Sequence, residues 1–133
     1  MSENLTYGYK RTVDGSPQDV EERVRAALGE EGFGVLTEID VKETLKEKLD
    51  VEFRPYKILG ACNPPLAHRA LSNETDIGLL LPCNVVVYEG DAEGKTVVAA
   101  MDAVQQLGVT GREDMEELAT EVNQRLERAL NAV

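Results

Sequence analysis

Between residues 7 and 13 the chain runs aromatic, small, aromatic, charged, the alternation of a half-buried strand, and the Asp14-Gly15 pair that follows is a turn signal. The period then changes. Val20, Val24, Ala27 and Leu28 fall on one narrow arc of a helical wheel, with Glu21, Glu22 and Arg25 facing water. Ser16 can cap this helix, Pro17 suits its first position, and Asp19 favours its positive end. The helix stops near Gly32, and residues 33–39 read as a second strand. Asp40 can cap a short helix whose stripe is thin: Val41, Leu45 and Leu49.

Residues 53–61 form a third strand, with Pro55 near its start, where a missing amide proton is tolerated. Pro64 and Pro65 lead into a short helix carrying Leu66, Ala67, Ala70 and Leu71. Residues 77–89 are apolar at both parities and read as one long strand, broken or bulged at Pro82 because proline cannot donate to a central ladder. A hairpin loop at 90–94 returns the chain as a fifth strand over 95–101. The last helix, 112–132, has the strongest periodicity, with Met115, Leu118, Ala119, Val122, Leu126, Ala129 and Leu130 on one arc. The expected fold is α+β: a mixed five-stranded sheet packed by amphipathic helices, in the order β-α-β-α-β-α-β-β-α. A length of 133 residues suits one domain over 1–133.

Charge narrows the partners. Against 25 acidic side chains stand 14 basic ones, a net charge of −11, and only six of the basic residues are lysine. Phosphate binding needs clustered Lys and Arg, so neither nucleic acid nor an anionic membrane surface is expected as a partner. Two readings of this acidic shell compete, the solvated helix faces of a mildly acidic mesophile protein and adaptation to high salt, where self-repulsion is screened; the low lysine count favours the second, halophilic reading. Apolar runs fall short of a spanning helix, the N-terminus has no signal-like pattern, and two cysteines are too few for a disulfide framework. A cytoplasmic protein is the expectation.

The stretch from Gly60 through Cys62, Asn63, Pro64 and Pro65 to Leu71, with Leu80-Leu81-Pro82-Cys83-Asn84-Val85 after it, is the least generic part of the chain. With Glu38-Ile39-Asp40-Val41, it resembles the domain of unknown function family 302, over roughly residues 7–101. The resemblance implies a compact α+β domain with no established activity, often found as a dimer.

Read chemically, Asn63 can cap the helix that Pro64 opens, and a helix N-terminus with free amides is an anion site. Cys62 lies beside that positive end, where a thiolate would be stabilised, which makes it the candidate catalytic thiol. The competing reading is a small buried residue at a strand end. A zinc or copper site from Cys62, Cys83 and His68 is opposed by the wheel, which turns the single histidine to the helix flank, so no metal and no cofactor are expected. Glu38/Asp40 and Glu43/Glu47 read as solvated charges.

Asn63, Pro64, Pro82 and Cys83 are the expected ligand-binding residues, grouped where the third strand ends, the proline-started helix begins and the fourth strand is interrupted. The expected function is binding or sensing of a small ligand, anionic ones included. The alternative is a thiol-dependent enzyme or redox protein using Cys62. A strand apolar on both sides, with about two long helices to cover the sheet, also points to a homodimer.

Overall fold

The computed structural model describes residues 2–133. Its elements are β1 (Ser2–Leu5), β2 (Gly8–Asp14), α1 (Pro17–Glu30), β3 (Gly34–Asp40), α2 (Val41–Leu49), β4 (Tyr56–Cys62), α3 (Pro64–Asn73), β5 (Cys83–Glu89), β6 (Lys95–Met101), α4 (Ala103–Gly108) and α5 (Glu116–Asn131). Short 3₁₀ segments, Thr75–Leu80 and Glu113–Met115, precede β5 and α5.

The α+β class and the expected order of elements hold. The sheet itself is larger and simpler than expected. It has six strands in the order β1-β2-β6-β5-β4-β3, and every pairing is antiparallel rather than mixed. The additional strand, β1, is polar and pairs only with β2 at the sheet edge, so no apolar alternation announces it.

Local chemistry sets several boundaries. Ser16 accepts a hydrogen bond from the Asp19 amide at 3.1 Å with Pro17 opening α1, and Asp40 accepts one from the Glu43 amide at 3.0 Å to start α2. The run expected as one strand over 77–89 divides. Ile77 lies in the 3₁₀ segment with its side chain in the core, the Leu81–Pro82 peptide is cis, and pairing begins only at Cys83.

Helices cover one face of the sheet. Leu59, Val85, Val87 and Val98 point into the main core with Val24 and Leu28 of α1 and Leu126 and Leu130 of α5. Their strand neighbours Ile58, Val86, Tyr88 and Ala99 point the other way and stay half-exposed. At the outer edge, β3 carries a bulge between Val35 and Thr37. Beyond it, α2 buries none of its residues, as its thin stripe suggests. No helix among the described residues is long and apolar enough to cross a membrane.

Candidate functional site

The site is built from the first turn of α3. A helix leaves its first amides without internal partners, and here those of the first turn are accounted for. Pro64 and Pro65 have no amide proton, the Leu66 amide donates to Asn63 Oδ1 at 3.3 Å, and the Ala67 amide donates to the Asn63 carbonyl at 2.8 Å. Residues 64–67 therefore offer an anion no free amide, and this turn does not carry the anionic part of the sequence expectation.

The other end of the Asn63 side chain is also occupied. Its Nδ2 donates to the Glu31 carbonyl at 3.4 Å, and the same carbonyl accepts from Arg125 Nη1 at 3.0 Å. One backbone oxygen thus ties the end of α1 to the start of α3 and to α5. Gly32 follows it at a φ of +85°, and a Cβ there would lie 2.9 Å from Asn63 Nδ2. Both facts require glycine.

Beside this junction, β4 and β5 pair with Ala61 opposite Cys83 and Gly60 opposite Asn84. A Cβ on Gly60 would collide with Thr37 Oγ1 and approach Pro82 Cγ to 2.7 Å. The missing side chain is what lets Pro82 and Thr37 close over the strand.

A cavity of about 340 Å³ opens here. Phe33 just before β3, Leu66 and Ala70 of α3, Leu107 of α4, and Leu118 and Val122 of α5 supply much of its wall. Cys62, Asn63, Pro82 and Cys83 line it too, so four of the residues singled out from the sequence share one recess. Pro64 does not; it is exposed and opens the helix from outside. Leu36, 70% exposed, and Leu71, 40% exposed, stand among the lining residues and give the mouth an apolar rim.

Both cysteines are free thiols, Cys62 half-buried and Cys83 buried. Burial, and then the neighbouring Cys62, push the Cys83 thiol up to about 11, so at neutral pH it is an uncharged wall group. No carboxylate or imidazole lines the cavity. His68 is exposed, in keeping with its flank position on the wheel. Among the described residues no cluster of three or more His, Cys, Asp or Glu side chains is placed to hold a metal ion. Sequence reasoning missed Phe33 and Leu107 as site residues and read Leu118 and Val122 as core only. Their sole signal was apolar periodicity, which does not distinguish a core wall from a cavity wall.

The family model for the domain of unknown function DUF302 matches residues 9–133. The chain belongs to this family. A solved DUF302 structure, the crystal structure of an uncharacterized conserved protein from Bacillus stearothermophilus, is similar throughout: 32% identity, a TM-score of 0.88, and coverage of 96% of this chain and 98% of that one. No curated protein matches the chain. The DUF302 assignment agrees with the motifs around Asn63-Pro64 and Leu81-Pro82, the same motifs that frame the cavity.

Proposed function

We propose that this DUF302 chain is a binding module for a small, uncharged and largely apolar ligand held in the cavity behind Asn63 and Pro82. The observation that carries the reading is an apolar recess of about 340 Å³ in which the Asn63 amide group is already bonded within the chain. That volume lies at the lower end of the range for small-molecule pockets, whose walls are mostly apolar with few polar groups. Burying a ligand methylene in such a wall gains about 0.8 kcal/mol, so affinity here comes from apolar area rather than from charge.

The second reading, a thiol-dependent enzyme using Cys62, rests on a half-buried thiol in the same wall. It lacks a partner for the chemistry, since a nucleophilic thiol is activated by an adjacent base or cation and no such side chain lines the recess.

The two separate in one pair of measurements. Native mass spectrometry of the purified chain should detect an apolar adduct or, after delipidation, uptake of an apolar fluorescent probe. Ala67 of α3 also lines the recess and is only half-buried, so Ala67→Phe should abolish that uptake by filling the space while leaving the unfolding midpoint within a few degrees. Probe binding unaffected by Ala67→Phe would reject the cavity as the site. Alkylation of Cys62 with an ordinary apparent pKa near 8.5 agrees with binding alone, and one well below 7 would favour the enzyme.

A further inference from the structure

Given the binding reading of the cavity, on which this step rests, we propose that the ligand is a neutral single-chain amphiphile. An alkyl chain of about ten carbons enters tail first and leaves an uncharged oxygen head group at the mouth, beside Leu36, Thr37 and Leu71. The wall of the recess grades from dry to wet. Ala61, Leu107, Leu118 and Val122 are each at most 4% exposed, whereas Leu36 and Leu71, which line the same cavity, are 70% and 40% exposed. A compact molecule settled against the inner wall would leave both rim leucines in water. One that covers inner wall and rim together has to run the length of the recess and emerge from it. Its two ends then meet different surroundings, apolar side chains at one and solvent at the other, and that asymmetry selects a tail and a head.

Volume sets the tail. A water molecule takes about 30 Å³ in the liquid and a packed methylene takes a similar space, so a recess of about 340 Å³ holds a chain of about ten carbons. A shorter chain leaves part of the wall without partner atoms, and a longer one adds methylenes that stay in water.

The wall sets the head. No carboxylate, amine, guanidinium or imidazole lines the recess, so a charged head group would give up hydration at the mouth and find no counterion there. Thr37 lines the recess at an exposed position, and among the described residues its hydroxyl has no hydrogen-bond partner within the chain. A hydroxyl both donates and accepts, which suits an alcohol or an ester carbonyl.

The test titrates the full chain with n-alkyl alcohols from 1-hexanol to 1-dodecanol, by calorimetry or by displacement of the apolar fluorescent probe. Affinity should rise about fourfold with each added methylene, the equivalent of about 0.8 kcal/mol, and level off near ten carbons, where the recess is full. In molar salt, which screens the net charge, decanoate and decylammonium should each bind at least about tenfold more weakly than 1-decanol. Leu36→Ser and Leu71→Ser change exposed positions, so folding tolerates them. Each should lower 1-decanol affinity several-fold and leave 1-hexanol unchanged, because the short chain does not reach the rim. Probe uptake that Ala67→Phe blocks, together with alcohols whose affinity is independent of chain length or rim variants that weaken all lengths alike, would keep the cavity as the site and overturn the single-chain ligand. A charged head that binds as tightly as the alcohol overturns the neutral one. If neither the probe nor any alcohol binds, the cavity reading falls and the amphiphile with it.

Discussion

The cavity behind Pro82 and the uncovered face of the sheet are built from similar side chains, yet they differ in depth and in how their polar groups are answered. In the cavity, the Asn63 amide group and the Leu66 and Ala67 amides of the α3 start are bonded within the chain, and residues of β3, β4, α3, β5, α4 and α5 close around the recess. On the sheet face, the apolar rows stay half-exposed and Tyr56 stacks on Tyr88. Gly60 marks the boundary, since its missing side chain admits Pro82 and Thr37 at the cavity end of the face. Similar composition thus builds two different surfaces: a concave one at the end of the sheet and an open, half-exposed one on the side away from the main core.

The sharpest way to break this comparison is to cut the same strand region on its two sides. Leu59→Ala, on the fully buried side of β4, should cost about 3 kcal/mol through lost burial and a residual cavity. Val86→Ala, on the half-exposed side of β5, should cost about 1 kcal/mol or less when urea unfolding is measured on dilute monomer. Equal costs would mean that both faces are closed.

The next effect concerns the buried thiol. The folded chain keeps the Cys83 proton up to about pH 11, while an unfolded thiol with a pKa near 9.0 has already lost it. Between those values the unfolded state binds fewer protons, so stability falls as pH rises. The loss should reach about 2–3 kcal/mol by pH 11, and it should be missing from the difference curve of Cys83→Ala. Identical pH profiles for the two proteins would show that Cys83 is solvated rather than part of a dry wall.

At the boundary, Gly60→Ala should cost about 2 kcal/mol, because the proline ring cannot move aside as a flexible side chain would. It should also reduce probe uptake by shifting Pro82. Asn63→Ala is the smallest change. It removes the α3 cap and one of the two donors to the Glu31 carbonyl, an expected loss of about 1 kcal/mol in urea unfolding. Because those contacts lie within the chain, probe affinity should change little. A large loss of affinity without loss of stability would reassign Asn63 to the ligand.

How far this architecture was legible depended on whether local chemistry or long-range pairing made the decision. Ser16-Pro17-Asp19 and the stripe of α5 placed the two main helices, because a cap and a 3.6-residue period act within one element. Asp102, which accepts from the Val104 and Gln105 amides, caps α4 by the same chemistry, but six residues are too short to show a period. Ile77 to Leu81 looked like strand because a short apolar run carries no periodicity that separates strand from 3₁₀ turn. Strand direction was beyond reach, since it depends on which strands meet. For the site, the Asn-Pro and Leu-Pro motifs pointed to the right recess. The contributions of Phe33, Leu107, Leu118 and Val122 come from contacts between distant parts of the chain, and no local rule encodes those.

The bulge between Val35 and Thr37 bears on how this chain behaves in concentrated solution. β3 is the last strand on its side of the sheet, and Leu36 and Ile39 are exposed on it, a combination that invites a foreign strand to dock and seed a filament. A docking strand would have to reproduce the bulge's offset, and Asp40 turns the backbone into α2 before the edge can lengthen. The edge is therefore a poor template: growth by strand addition is interrupted within a few residues.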